Sequence, residues 1–349
     1  MYAWRAMKDT PKKTSGQTGH GLVLAPMEGV MDSIMRDLLT GIGGYDRCVT
    51  EFVRISQTVL PARVFHRLCP ELLTGGTTPS GTPVFVQLLG SDPALMARNA
   101  RVASDLGAPG IDLNFGCPAK TVNKSQGGAV LLKAPDMLGS ICTAVREAIP
   151  DNIPVTAKIR LGFEDDSQFE AIATAALAGG ISELTVHART RRQGYRPPAH
   201  WSRLANISAM AATAGVRVIA NGELWSPGDV LRCQAASGCR DFMLARGALC
   251  RPDLGRIVRC ALSDAAQATP IEGVMAWTDI PPLLRTYLHR NAAQYDPRYA
   301  CNPLKQWLVY LQYHYPQAGA LFARVKRVRD FDQMDRALAA EEHILPAAA

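Results

Sequence analysis

Residues 112–122, DLNFGCPAKTV, place Cys117 between Gly116 and Pro118 at the end of a run that reads as a buried strand. Pro118 has no N–H to give a sheet, so the strand must end there. Gly116 permits a tight exit or the close approach of a flat ligand. A thiol at the C-terminal tip of a strand stands where α/β barrels keep their chemistry. Alone, a strand-end cysteine is more often a small buried residue. Polar residues at the equivalent points of the other strands change that reading.

Taken in order, the strand tips carry Pro26, Met27 and Glu28, then Glu51, Gln87, Asn114 with Cys117, Lys158 with Arg160, His187 with Arg189, Asn221 with Glu223, and Arg246. Lys158 and Arg160 are two apart on a strand and project to one side, as do His187 and Arg189. The expectation is four cationic or potentially cationic groups converging on one mouth, suited to an anionic or electron-rich planar ligand. Loops after the last two strands of this fold commonly bind phosphate through backbone N–H groups. Here those loops are Ala220-Asn221-Gly222-Glu223 and Ala245-Arg246-Gly247-Ala248, with Arg246 able to add a charge-assisted contact. A phosphate site beside a lysine and a glutamine points to flavin mononucleotide (FMN).

The elements that must position these residues alternate. Strands are expected at 22–26, 47–52, 83–90, 110–116, 154–161, 183–189, 217–222 and 241–246, with helices between them, among them 93–106, 134–149 and 167–178. Asp92 and Ser167 are the expected N-caps, and Gly107 and Gly179-Gly180 the expected stops. Eight strand–helix units predict a (β/α)8 TIM barrel followed by a smaller all-helical C-terminal domain. A doubly wound sheet fits less well, because no G-x-G-x-x-G turn follows the first strand. Beyond residue 280 the strand signal stops, and 281–293, 302–314 and 317–329 read as helices, with Pro303 in a first turn. The expected division is a disordered leader at 1–20, a barrel at 21–262 and a helical domain at 263–340, with frayed residues from 340 onward.

The chain has 349 residues, a 20 % charged fraction and nine scattered cysteines without a C-x-x-C pair, which indicates reduced thiols in the cytoplasm and no zinc site. No apolar run is long enough to span a bilayer, and the N-terminus has no secretory h-region. Residues 281–329 hold eight Lys/Arg against one acid, Asp296, which matches the whole net charge of +7, and they hold six of the nine tyrosines. Basic residues interleaved with aromatics suit a phosphate backbone and stacking bases, and equally a helical domain with a solvated basic face.

These residues resemble the tRNA-dihydrouridine synthase family. The matching motifs are LAPMEGVMDS (24–33), YDRCVTEFVR (45–54), FVQLLG (85–90), DLNFGCPAKTV (112–122), GGAVLLK (127–133), KIRLGF (158–163), VHARTRRQGYR (186–196), IANGEL (219–224) and RGAL (246–249). With KQWL (305–308), they look most like the bacterial branch that modifies uridine 16. The resemblance implies an FMN barrel, a helical tRNA-binding domain, NADPH or NADH as reductant, and a monomer without a metal. It implies that Pro26, Met27, Glu28, Gln87, Lys158, His187, Asn221, Gly222, Glu223, Ala245 and Arg246 bind the cofactor. Arg54, Asn114, Arg160, Lys305, Lys326 and Arg327 would then bind the tRNA. Cys117 would be the acid that protonates C5 of the uracil after hydride reaches C6, and a thiol that is mostly protonated at neutral pH suits that task. Two other readings stay open: an FMN barrel acting on a small pyrimidine, like dihydroorotate dehydrogenase, and a tRNA-binding protein without catalysis.

Overall fold

The computed structural model describes residues 19–124, 126–263 and 274–342. Residues 1–18 of the expected leader (1–20), 264–273 at the start of the expected helical domain, and 343–349 lie outside the described residues. The strands are β1 (Leu22–Leu24), β2 (Arg47–Val49), β3 (Val53–Arg54), β4 (Val84–Leu89), β5 (Ile111–Asn114), β6 (Val155–Arg160), β7 (Glu183–His187), β8 (Arg217–Asn221) and β9 (Asp241–Leu244). All pair in parallel, and β2 pairs with β4, so that β1, β2 and β4 to β9 close a ring of eight. The short β3 lies outside that ring and pairs with the C-terminal end of β4. The expected strand 47–52 is therefore shorter than predicted, and strand pairing resumes at Val53 after three intervening residues.

The helices are α1 (Ser33–Ile42), α2 (Ala62–Leu68), α3 (Pro93–Asp105), α4 (Lys120–Lys124), α5 (Pro135–Ala148), α6 (Phe169–Ala178), α7 (Leu204–Thr213), α8 (Pro227–Ser237), α9 (Arg246–Cys250) and α10 (Leu254–Ala261) around the barrel. After them come α11 (Ile280–Gln294), α12 (Cys301–Leu311), α13 (Pro316–Val325) and α14 (Phe331–Glu342). Asp92 caps α3 as expected, accepting from the Leu95 N–H at 2.7 Å. Ser167 does not cap α6. Its hydroxyl turns back to Asp165 at 2.6 Å, and the helix begins at Phe169.

Strict alternation decides what the barrel encloses. On β6, Val155, Ala157 and Ile159 join the layer between strands and helices, which leaves Thr156, Lys158 and Arg160 for the interior. On β5 the same rule sends Ile111 and Leu113 outward and Asp112 and Asn114 inward. The interior holds only a small apolar cluster of Val23, Ala25, Val49, Phe85, Ile219 and Met243. Polar groups occupy the two ends.

The C-terminal helices form a bundle seated on the barrel. The Trp307 indole is buried against Tyr287 and donates to the Leu249 carbonyl at 3.0 Å, pinning α12 to α9. Arg290 pairs with Asp37 at 2.5 Å, tying α11 to α1. No separate helix was expected at α14, and it corrects the reading of a frayed chain over 340–342, because Glu341 is buried and Glu342 pairs with Arg285, while 343–349 lie outside the described residues. No helix among the described residues is long and apolar enough to cross a membrane.

Candidate active site

The C-terminal ends of the strands surround a cavity of about 640 Å³. Its lining includes Pro26, Met27, Glu28, Gln87, Asn114, Cys117, Lys158, Arg160, His187, Asn221, Gly222, Glu223, Ala245 and Arg246, so fourteen positions singled out in the sequence meet in one place. Strand register explains much of this. Asn114 lies beside Lys158, Arg160 beside His187, and His187 beside Asn221. Arg54, Lys305, Lys326 and Arg327 are not in the lining.

Gln87, Asn114 and Asp112 hold one another. Gln87 Nε2 donates to Asp112 Oδ2 at 2.7 Å, and Asn114 Nδ2 donates to Gln87 Oε1 at 2.8 Å. Asn114 Oδ1 accepts the N–H groups of Gly116 and Cys117, each at 3.0 Å. Asn114 thus spends its oxygen on the thiol's own loop. Cys117 alone of the nine cysteines lines the cavity. Burial raises its thiol pKa, and the nearby Glu28 adds to this, while the Ala119 N–H, Arg160 and Arg54 pull it down. The net effect keeps the sulfur protonated.

The cationic side is less charged than the sequence suggested. Burial lowers Lys158 from 10.5 to about 7, with Arg160 adding to the fall and Asp112 opposing it. Its Nζ donates to Asn221 Oδ1 at 2.9 Å, and Asn221 in turn donates to the Met243 carbonyl at 2.8 Å. Burial, then Arg160 and Lys158, push His187 well below its usual value, so the imidazole is neutral. Its Nδ1 lies 3.3 Å from Arg160 Nη1 and accepts from it, which leaves the proton on Nε2. Arg160 also donates to the carbonyls of Gly116 at 2.8 Å, Thr190 at 3.2 Å and Gly194 at 3.0 Å. The expectation that Arg189 joins the mouth is corrected. Strand β7 ends at His187, the alternation lapses, and Arg189 is fully buried, paired with Glu223 at 2.8 Å.

Glu223 has φ +58° directly after Gly222 at φ +109°, a left-handed turn that costs free energy and is held by its partners. The Trp201 indole donates to the Gly222 carbonyl at 2.8 Å, and Glu223 faces both Arg189 and, at 3.7 Å, Arg246. A Cβ on Gly222 would come within 3.3 Å of His187 Nε2. Arg246 lies over the rings of Tyr195 at 4.8 Å and Trp225 at 4.9 Å.

Several lining residues were missed as site residues. Glu51 was noted only as a strand tip; it accepts from the Gly29 N–H, and burial together with Glu28 raises its pKa. Phe52, Tyr195, Trp225 and Tyr310 also line the cavity. Tyr195 lies within the motif at 186–196, and Trp225 directly follows the one at 219–224. Phe52 sits inside the motif at 45–54, and Arg54 is exposed, its guanidinium 5.8 Å from the Phe52 ring centroid. Tyr310 comes from α12, and no local signal announced it.

The basic stretch 281–329 is not unopposed, which corrects the picture drawn from its composition. Arg285 pairs with Asp335 and Glu342, and Arg324 with Glu341, all acids of α14. Lys305 Nζ donates to the Val328 carbonyl at 2.9 Å, bracing the turn between α13 and α14. On that turn Lys326, Arg327 and Arg329 are exposed, with no ion pair among the described residues.

Comparison with known proteins bears on the family of this chain. The family model "Dihydrouridine synthase (Dus)" matches residues 23–296. A Pseudomonas putida protein named tRNA-dihydrouridine(16) synthase is 50 % identical, covering 93 % of this chain and 98 % of that one. Proteins of the same name from Aquipseudomonas alcaligenes and Shewanella oneidensis are 50 % and 45 % identical, over 91 % and 93 % of this chain and 98 % and 99 % of theirs. A solved DHODH from Eimeria tenella, in complex with ferulenol, superposes with TM-score 0.51 at 15 % identity, covering 73 % of this chain and 84 % of that one, a likeness of fold alone. With the family model spanning nearly the whole barrel and the relatives matching end to end, this chain belongs to the dihydrouridine synthase family.

Proposed function

We propose that this protein reduces uridine 16 in the D-loop of tRNA to 5,6-dihydrouridine, with FMN bound in the cavity and NADPH, or NADH, as reductant. The observation that carries this reading is one cavity thiol, its pKa raised by burial, in the same cavity as Lys158, Arg160 and Arg246. The curated relatives named for uridine 16 supply the substrate.

The residues present fit a flat, anionic cofactor. Lys158 and Arg246 offer positive charge, Ala25, Met27 and Met243 offer apolar surface, and the turn at Gly222 leaves room that a side chain would fill. Bound FMN would supply the hydride that C6 of the uracil accepts. Lys158, titrating near neutrality, gains its proton when an electron-rich edge is brought against it. Pro26, Glu28, Gln87, His187, Asn221, Glu223 and Ala245 complete the cofactor wall. Cys117 delivers the proton to C5, so that hydride and proton together saturate the C5–C6 bond. Asn114 and Arg160 hold the loop from which the thiol acts, through Cys117 N–H and Gly116 C=O. The target base must leave its stack to reach them. Arg54 at the rim, and Lys305, Lys326 and Arg327 on the helical region, contact the tRNA; residues 21–262 carry the chemistry and 263–340 the docking.

Dihydrouridine mapped position by position in tRNA, from a strain lacking the gene and one with it restored, tests this. Loss and recovery at position 16 is the expected result. A change at another D-loop position would keep the chemistry and overturn the choice of uridine; no change anywhere would overturn both.

A further inference from the structure

Asp112 is a buried acid that the chemistry above does not use. It lies on β5 with its Cα registered between Gln87 of β4 and Thr156 of β6, two residues before Asn114, and it does not line the cavity. We infer that Asp112 is a positioning residue: through Gln87 and Asn114 it fixes which way both site amides face and how the Cys117 loop is held.

The argument is one of direction. Both neighbours of Asp112 approach it with donors, an amide N–H and a hydroxyl. Asp112 Oδ1 accepts from Thr156 Oγ1 at 2.5 Å, and Oδ2 accepts from Gln87 Nε2 at 2.7 Å. Gln87 must then turn its oxygen away, where it accepts from Asn114 Nδ2 at 2.8 Å. Asn114 in turn can present only its oxygen to the loop, and it accepts both the Gly116 and Cys117 N–H groups at 3.0 Å. Every bond in the chain points toward Asp112. Flipping either amide would set donor against donor or acceptor against acceptor in a buried place. Burial raises the Asp112 pKa, while its two donors and the more distant Arg47 and Lys158 lower it.

The effect on turnover rests on the proposed role of Cys117; the effect on the loop does not. The test is therefore the rate at which iodoacetamide alkylates Cys117, followed by peptide mass spectrometry in the full chain. This needs neither flavin nor tRNA. Asp112→Asn can keep the Gln87 and Asn114 directions, since its oxygen still accepts from Gln87 while its amide donates to Thr156 and reverses that outer bond alone, and it should stay within about twofold of wild type. Asp112→Ala removes the terminal acceptor and should speed alkylation by about fivefold or more as the loop loosens. In tRNA reduction the alanine variant should lose kcat by about tenfold, with KM for tRNA unchanged. If Asp112→Ala does not fold, Gln87→Met cuts the chain in its middle without adding charge, because it removes both the donor to Asp112 and the acceptor for Asn114, and the same faster alkylation is expected. Wild-type alkylation rates in the cutting variant, or asparagine behaving like alanine, would overturn the inference. A wild-type protein that alkylates as described but forms no dihydrouridine would overturn the proposed function alone.

Discussion

At the N-terminal end of the barrel, Glu183 sits between Arg47 and Arg217, Arg217 also faces Asp241 at 3.8 Å, and Arg47 lies over the Phe85 ring at 4.8 Å. Each charge there meets its opposite inside the protein. At the C-terminal end the charges are held differently. Burial raises Glu28, Glu51 and Cys117 and lowers Lys158, Arg160 and His187, so every one of these groups is pushed toward its neutral form. The first end is finished by folding. The second has paid desolvation without full compensation, which leaves a bound molecule to supply it.

If that contrast is right, substitutions at the two ends fail in different ways. The largest effect belongs to Cys117→Ala, which should lower dihydrouridine formation by about 10³-fold while leaving flavin content and flavin reduction by NADPH unchanged. Parallel loss of flavin would make the residue structural. Next, Glu183→Ala at the opposite end should destabilise the fold by about 3 kcal/mol in urea unfolding, less than a wholly enclosed pair would because Arg217 is half exposed, with turnover intact in the folded fraction. A pH series sharpens the comparison. Lys158 binds its proton in the unfolded chain up to its ordinary 10.5 but in the folded chain only to about 7. Stability should therefore rise with pH across that window, by up to about 1.4 kcal/mol per unit, and the slope should vanish in Lys158→Met. Below pH 7 both states hold the proton, and the two proteins should run parallel.

The same contrast recurs in miniature on the helical region. Arg285 is committed to Asp335 and Glu342, whereas Lys326 and Arg327 are exposed on a braced turn. Reversing Lys326 and Arg327 to Glu should weaken tRNA binding by about tenfold and flatten its salt dependence by about two ions. Arg285→Ala should lower stability by about 1 kcal/mol, its partners being only partly buried, and leave tRNA affinity unchanged. Equal affinity in the reversed variant would remove that turn from the RNA footprint.

Much of the barrel was readable because its alternation is strict. Thr156, Lys158 and Arg160 are polar at every second position between Val155, Ala157 and Ile159, so both strand and inward face follow from one segment. The site was readable where it sits on strand tips. It was misread where a strand stops: two-residue spacing places Arg189 in the mouth only if β7 continues past His187, and it does not. Helix α14 was not legible from the basic and aromatic run, which ends at 329, just before the acids Asp335, Glu341 and Glu342 that pair with Arg285 and Arg324. Tyr310 was illegible for another reason. Its place depends on how α12 meets the barrel, which no periodicity within α12 encodes.

That meeting has a consequence for how such a protein can be rebuilt or diversified. Trp307 anchors α12 to the helix that opens at Arg246, and Tyr310, three residues on, is part of the cavity wall. The helical region is thus not an appendage hung on a self-sufficient chamber. A recombinant that exchanged it for a differently shaped one would also have to restore a missing side of the chamber, so, given the docking role proposed above, changes in the RNA bound and changes in how the chamber holds its contents are inherited together.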